Sequence, residues 1–266
     1  MKISIKNTIK VLAVGTALML MANAASAANS LDRILSAGKI TIGVQNDVPP
    51  YSQIGGDNNV EGLDIDIAKA IAKDLGVDIE LKIITGANRI PTLETNQADL
   101  VIATVGINPT RAATVGMSIP YTAFPMVLIA SKGQNIKSYA DTAGKVIGLT
   151  RGTLQDEIVS RSLPAGAEIR RYEDDATTIQ ALVTGQIDAT SFSTTVMKII
   201  NEKNPKLNLE AKFPAFFVYA AIISRHEDPR LRDWVNTWIF LNKKSGLLNQ
   251  IHQKWLQIDL PELPVF

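Results

Sequence analysis

The chain of 266 residues contains no cysteine and only two histidines. Without cysteine it can form no disulfide, and it offers no thiol for a lipid anchor attached to an N-terminal cysteine. Neither His226 nor His252 has a second histidine or a cluster of acids at metal-binding spacing. We therefore expect no metal site and no cofactor.

Long apolar runs are also missing, with one exception near the N-terminus. Lys2, Lys6 and Lys10 precede the apolar run Val11–Met21, and Ala25-Ser26-Ala27 follows it. This run is too short to span a bilayer and is typical of a secretory signal peptide with an A-x-A cleavage site. We predict that residues 1–27 are a signal peptide and that the protein is periplasmic.

An excess of charge of either sign is absent as well. Removal of the three signal-peptide lysines from the 27 basic residues leaves 24, against 26 acidic residues, and a formal charge of −2. A chain with this charge has no basic surplus that would favour nucleic acid or an anionic membrane. We expect neither as a partner.

The remaining sequence alternates short apolar, β-branched segments with amphipathic segments. Lys39–Val44 is predicted to be a strand and is followed by a helix that ends near Leu75 and Gly76, and the same alternation restarts at Lys145–Leu149. This pattern predicts α/β layers with largely parallel sheets. We expect two lobes, residues 28–130 plus 223–266 and residues 131–222, joined by two crossings near Ile129–Gly133 and Ala220–Ser224.

One stretch, residues 85–111, carries the strongest functional signal. The apolar run Leu100–Ala103 predicts a buried parallel strand, and ligands bind beyond the carboxyl ends of such strands. Asn108 can cap a short helix with Pro109 in its first turn. Arg111 then lies beside free backbone N–H groups, and its planar guanidinium suits two parallel hydrogen bonds to a carboxylate. The alternative is an arginine on the protein surface.

Several motifs in this order resemble bacterial extracellular solute-binding proteins of family 3, the periplasmic class that binds polar amino acids. The resemblance extends over essentially all of residues 38–257. The matching segments are Gly43 through Pro50-Tyr51, Glu61–Asp66, Ala98–Ile102, Asn108–Arg111, Ser118–Tyr121, Gly152-Thr153 and Gly185–Ala189. The resemblance implies a two-lobed periplasmic-binding-protein fold of type II with two hinge crossings. It also implies a monomer that captures a small ligand and delivers it to an ABC permease in the inner membrane.

The resemblance assigns the first-lobe contacts of this ligand. Arg111 matches the arginine that binds an α-carboxylate, and Thr104 and the backbone of Gly106 match residues beside it. Arg89 lies in a segment similar to the branch that binds acidic amino acids, where this arginine reaches the ligand. The alternative for Arg89 is a helix-surface arginine paired with Glu94 or with nothing.

The same resemblance assigns contacts around the rest of the ligand. Thr153 and the backbone of Leu154 match a second-lobe contact with the carboxylate. Gln45 and Val48 match positions that touch the ligand side chain. Ser193 stands at the position of the aspartate that usually binds the ligand ammonium.

Three of these positions depart from the family pattern. Gly106 replaces a usual serine or threonine, and the stacking aromatic of many relatives corresponds to Val48 or Gly86. Ser193 cannot neutralise a buried ammonium, which is costly to leave unpaired. If Asp174, Asp175 or a backbone carbonyl substitutes, the ligand is an acidic or polar amino acid; otherwise an organic acid without an amine should also bind.

Other functions remain open at this stage. Some relatives with this fold dehydrate cyclic acids, but residues 191–195 supply no acid for that chemistry, so we predict a binding protein without catalytic residues. A periplasmic sensor of an organic acid is a further alternative. Because Arg89 and Arg111 are both cationic, we expect a ligand with one or two carboxylates and poor binding of lysine, arginine and histidine.

Overall fold

The computed structural model of the protein describes residues 30–264. The predicted signal peptide, residues 1–27, lies outside this range. Within the described range no helix is long and apolar enough to cross a membrane.

The helices and strands alternate as predicted for an α/β protein. The helices are α1 Ser30–Ala37, α2 Leu63–Leu75, α3 Arg89–Glu94, α4 Pro109–Ala112, α5 Leu154–Ser162, α6 Asp175–Val183, α7 Thr194–Lys203, α8 Pro229–Ser245 and α9 Leu247–Leu256. The strands are β1 Lys39–Val44, β2 Asp47–Val48, β3 Ser52–Ile54, β4 Val60–Glu61, β5 Asp78–Ile83, β6 Leu100–Gly106, β7 Val115–Ser131, β8 Val146–Thr150, β9 Glu168–Tyr172, β10 Ala189–Ser193 and β11 Leu209–Arg225.

The main sheet has the strand order β5-β1-β6-β11-β7-β10-β8-β9. Strand β1 is parallel to β5 and β6, and β8 is parallel to β9 and β10. The antiparallel pair β7 and β11 separates these two parallel groups. We call the side with β5, β1 and β6 the first lobe, together with the small antiparallel sheet β2-β3-β4, and the side with β10, β8 and β9 the second lobe.

Strands β7 and β11 connect the lobes and are much longer than the sequence predicts. The segments 125–131 and 216–224 are predicted as strands, whereas both observed strands contain 17 residues. Pro120, Pro125 and Pro214 lie inside them, and proline normally argues against a strand interior. Their pairing accommodates this through register shifts, one of which lies between Pro214 and Phe216.

The change of neighbour along these strands locates the passage between lobes. Strand β7 pairs with β10 over Met126–Ala130, and β11 pairs with β6 over Ala220–Ser224. On β7 the change therefore occurs before the predicted crossing at residues 129–133. The exact lobe boundaries stay a prediction.

The first-lobe core forms around helix α2 and the C-terminal helices. Ile65, Ala68 and Ile71 on one face of α2 are fully buried. From α8 and α9, Trp238 Nε1 donates to Asp74 Oδ2 at 2.7 Å and Trp255 Nε1 donates to Asp66 Oδ2 at 2.7 Å. Both C-terminal helices are thereby attached to the lobe that carries Arg111.

The start of α2 depends on a glycine. Gly62 has φ 139° and ψ 178°, a region that is essentially restricted to glycine. A Cβ atom there would lie 2.3 Å from the carbonyl oxygen of Tyr51. The approach is this close because the Asp64 amide donates to the same carbonyl at 2.9 Å.

We predict that Gly62→Ala lowers the free energy of unfolding by about 3 kcal/mol through backbone strain and this clash. Gly76→Ala is the matched control, because Gly76 also has positive φ, 71°, but open space around it. The control should lose about 1 kcal/mol, the cost of the left-handed conformation alone. Chemical denaturation measures both, and equal losses would contradict the role given to Gly62.

Candidate functional site

A cavity between the two lobes contains all nine residues that the sequence predicts for the ligand site. Its empty volume is about 490 Å³, part of it open to solvent. The first lobe contributes Gln45, Val48, Arg89, Thr104, Gly106 and Arg111, and the second contributes Thr153, Leu154 and Ser193. That these residues bind a ligand stays a prediction.

Arg111 is positioned by the short helix after β6. The Asn108 side chain caps α4 by accepting from the Arg111 amide at 2.7 Å, and Pro109 occupies the first turn, as predicted. The guanidinium is only 6% exposed, so the surface interpretation is wrong. Its Nη1 donates to the Gly106 carbonyl at 3.2 Å and its Nη2 to the Gly152 carbonyl at 3.2 Å.

Arg89 begins helix α3 and is also buried, so the surface interpretation is wrong here too. It donates to three backbone carbonyls, those of Gly86, Ala103 and Gly152, at 2.9, 3.1 and 3.0 Å. Burial, and then the neighbouring Arg111, lower its pKa to about 10. Two cationic groups of the first lobe thus share one carbonyl of the second.

The Arg111 guanidinium has a further partner outside the cavity. Glu157 of helix α5 accepts from Arg111 Nη2 at 3.0 Å and from Asn108 Nδ2 at 3.0 Å. Glu157 lines a separate depression behind Arg111 rather than the cavity. Glu157 of the second lobe therefore holds Arg111 of the first lobe from the side that faces away from the cavity.

The second-lobe residues around the carboxylate position belong to the start of α5. The Thr153 hydroxyl accepts from the Asp156 amide at 3.2 Å and donates its proton to the Thr150 carbonyl at 2.6 Å. Donors to an anion from this segment are therefore the backbone N–H groups that the first turn of a helix leaves unpaired and the side-chain amide of Gln155, which also lines the cavity.

The two glycines that depart from the family pattern pack against the second lobe. A Cβ atom on Gly106 would lie 2.8 Å from Leu154 Cδ2, so a serine or threonine there would require the end of the Leu154 side chain to move. A Cβ atom on Gly86 would lie in ordinary contact, at 3.4 Å, with both the Arg151 carbonyl oxygen and Thr153 Cγ2.

Ser193 and Asp175 differ sharply in their suitability as partners of an ammonium. Ser193 ends β10 and caps α7, where its hydroxyl oxygen accepts from the Val196 amide at 3.3 Å. Asp175 lines the same cavity, is 4% exposed and accepts from Thr150 Oγ1 at 2.6 Å and Gln45 Nε2 at 3.3 Å. Asp174 instead caps α6 by accepting from the Thr177 amide at 2.7 Å. Of the candidates left open by the sequence, Asp175 supplies a carboxylate to the cavity.

Sequence reasoning missed the apolar wall of the cavity. Its members are Tyr51, Phe124, Met126, Phe192, Val196 and Val218. Several lie on β7 and β11, in parts that the sequence did not place next to the ligand residues. Tyr51 belonged to a matching motif and packs its ring 4.9 Å from that of Phe124, so that motif was the available signal.

A buried acid supports the first-lobe wall from behind. Tyr121 Oη donates to Asp64 Oδ1 at 2.7 Å and accepts from the Thr104 amide at 3.0 Å. Burial raises the pKa of Asp64 to about 7. Asp64 lies in the first turn of α2 and also holds Thr104 in place through Tyr121.

Two lobes around one cavity, with lining residues from both, define a ligand-binding protein that closes on a small solute. The model of bacterial extracellular solute-binding proteins, family 3, matches residues 40–258, and the chain belongs to this family. This confirms the resemblance inferred from the motifs, and the fold is the predicted two-lobed one.

Similar proteins are known by their ligands. The L-cystine-binding protein TcyJ of Escherichia coli (strain K12) is 29% identical over 86% of this chain and 87% of its own. The ABC transporter arginine-binding protein 1 of the same strain is 29% identical over 83% and 91%. The crystal structure of the ancestral amino acid-binding protein AncCDT-1, a precursor of cyclohexadienyl dehydratase, has a TM-score of 0.77, 30% identity and coverage of 85% and 99%.

We predict that Asp175→Asn changes how stability depends on pH. Burial, followed by the charge of Asp47, raises the pKa of Asp175 to about 6 from 3.8. The folded protein therefore favours the protonated carboxyl, and its contribution to stability is lost as pH rises towards 6. Between pH 4 and pH 7 the variant should gain up to about 3 kcal/mol in unfolding free energy relative to the wild type.

Urea titrations at several pH values measure this difference. Asp57→Asn is the control, because Asp57 is exposed and hydrogen bonds from Asn59 lower its pKa, so its effect has the opposite sign. A difference between Asp175→Asn and the wild type that does not change with pH would contradict the burial of an ionisable carboxyl in the cavity.

Proposed function

We propose that the chain is the periplasmic solute-binding component of an ABC importer and carries a small polar amino acid to a permease in the inner membrane. Its family and the amino-acid ligands named for its relatives support this assignment. The signal-peptide pattern of residues 1–27 supports export, and we expect the carrier to act as a monomer.

The observation that carries the proposal is the charge pattern of the cavity. Two buried guanidinium groups, Arg89 and Arg111, and one buried carboxylate, Asp175, line the same closed space. An α-amino acid presents a carboxylate and an ammonium a few ångströms apart, which complements this pattern. Arg111 would bind the carboxylate through paired hydrogen bonds, and Asp175 would bind the ammonium in place of the family's aspartate.

The same charges favour some amino acids over others. Among the described residues that line the cavity, one carboxylate, Asp175, faces two guanidinium groups, and the Glu157 partner of Arg111 lies outside the cavity. Charge interactions are weakly screened in such a closed space. Neutral polar and acidic side chains are therefore favoured over those of lysine and arginine.

Arg111→Ala should weaken binding of the amino acid by about thirtyfold to several thousandfold. Truncating one partner of a buried, charged hydrogen-bonded pair costs about 2–5 kcal/mol, and about 1.4 kcal/mol corresponds to a factor of ten. Arg111→Lys should also fail to restore binding, because an ammonium cannot copy the planar fork. Isothermal titration calorimetry tests both, with the exposed Arg161→Ala as control; near-normal affinity in Arg111→Ala would exclude the carboxylate role.

A thermal-shift panel identifies the ligand class. It compares glutamate, aspartate, glutamine, cystine, lysine and arginine with 2-oxoglutarate and succinate, which lack the amine. A ligand at a hundredfold excess over its Kd stabilises by about 2.7 kcal/mol, enough for a shift of several degrees. We expect shifts with amino acids and not with the amine-free acids, and Asp175→Asn should lose this preference. Shifts confined to lysine and arginine would overturn the charge argument.

One observation favours a second candidate, a dehydratase of cyclic acids. The sequence appeared to lack a cleft acid, yet Asp175 is a buried carboxyl whose pKa burial raises to about 6, as suits a general acid. A relative, the cyclohexadienyl dehydratase of Pseudomonas aeruginosa, is 23% identical over 92% of this chain and supports this candidate. Incubation with prephenate decides: product formation that Asp175→Asn abolishes supports an enzyme, and none supports the carrier.

A further inference from the structure

Asp47 does not line the cavity, but it makes a contact with the second lobe across the cleft. It lies on β2 in the first lobe, and its Oδ2 accepts from the amides of Asp175 and Ala176 in the second lobe, at 2.9 and 3.3 Å. These amides belong to the first turn of helix α6. A carboxylate of one lobe thus caps a helix of the other.

The hydrogen bonds of this helix terminus explain why the contact matters. The first N–H groups of a helix have no partner within the helix. Asp174 satisfies that of Thr177 from within the second lobe, whereas those of Asp175 and Ala176 depend on Asp47. The positive end of the helix dipole adds to the attraction. Separating the lobes would return both amides and the carboxylate to water.

The same contact fixes the side chain that faces the cavity. Gln45 Nε2 lies 3.3 Å from Asp175 Oδ2 and 3.4 Å from Asp47 Oδ1, so one amide group bridges the two carboxylates. The backbone of Asp175 is held by Asp47 while its side chain is held by Gln45 and Thr150. Closure therefore determines where the Asp175 carboxylate lies.

We propose that Asp47 is a positioning residue that latches the lobes together, even without ligand, and completes the second-lobe half of the binding site. Its use for ligand affinity rests on the proposed carrier function, but the latch itself does not. The contact between Glu157 and Arg111 also crosses the cleft, yet it involves the residue assigned to the ligand carboxylate. Asp47 can be altered without touching that residue.

Distance measurements between spin labels test the latch in the absence of any ligand. Because the chain contains no cysteine, Lys69→Cys on α2 and Lys198→Cys on α7, both exposed, accept one label in each lobe. The wild type should show a short-distance, closed population. Asp47→Ala should reduce the ratio of closed to open protein about tenfold, as expected for loss of one charge-assisted contact, and Asp47→Asn, which keeps an acceptor oxygen, should reduce it less.

Asp57→Ala is the matched control for this measurement. Asp57 lies in the loop between β3 and β4 of the same small sheet. Its carboxylate accepts hydrogen bonds from the backbone amide and the side chain of Asn59. It should leave the distances unchanged. A wild type that is wholly open, or a closed population equal in Asp47→Ala and Asp57→Ala, would overturn the proposal.

Ligand affinity then separates the latch from the binding contacts. For the two panel amino acids that bind the wild type best, Asp47→Ala should raise both Kd values by the same factor, mainly through faster dissociation. The factor reaches about ten when most of the free wild type is open and is smaller when most of it is closed. A change confined to one amino acid would overturn the latch in favour of direct contact. If no panel member binds, the proposed function fails while the label distances still decide the latch.

Discussion

The burial of two guanidinium groups beside each other is the constraint on which the closed structure depends. Like charges in a poorly solvated space repel, and each also loses its hydration. Arg89 and Arg111 offset this by donating to backbone carbonyls, among them the shared carbonyl of Gly152 in the opposite lobe. The carboxylates of Glu157 and Asp175, both in that opposite lobe, add negative charge near the two guanidinium groups. Closing the cleft therefore supplies the partners that the first lobe lacks.

Inside the cavity, the hydrogen bonds that Arg111 and Asp175 make with other described residues go to neutral groups. The carbonyl groups around Arg111 are acceptors with partial charge, and the Glu157 carboxylate contacts it only from outside the cavity. An anion inside the cavity would complete its coordination, and a cation beside Asp175 would complete that of the carboxylate. A zwitterion does both without a change in net charge, which connects the electrostatics of the fold to the amino-acid ligands of its relatives.

Much of the first-lobe site could be predicted from the sequence because it depends on local signals. Asn108, Pro109 and Arg111 form a cap, a first turn and a side chain that lines the cavity, all within four residues. Asp175 remained ambiguous beside Asp174, since which of two adjacent acids enters a cavity depends on the orientation of the helix start. The apolar wall escaped prediction although Met126 and Val218 lie in predicted apolar strands, because which of their side chains face the cavity depends on how β7 and β11 pack between the lobes. Gly86 and Gly106 pack against residues of the opposite lobe, and the sequence around these glycines does not indicate that contact.

The central claim is that the cavity binds a zwitterion between Arg111 and Asp175. A crystal structure of the protein saturated with the strongest amino-acid ligand tests it most directly. The account predicts a carboxylate within hydrogen-bond distance of the Arg111 guanidinium and an ammonium within about 3 Å of an Asp175 carboxylate oxygen. An ammonium held by Ser193 and backbone carbonyls alone, or a carboxylate remote from Arg111, would contradict it.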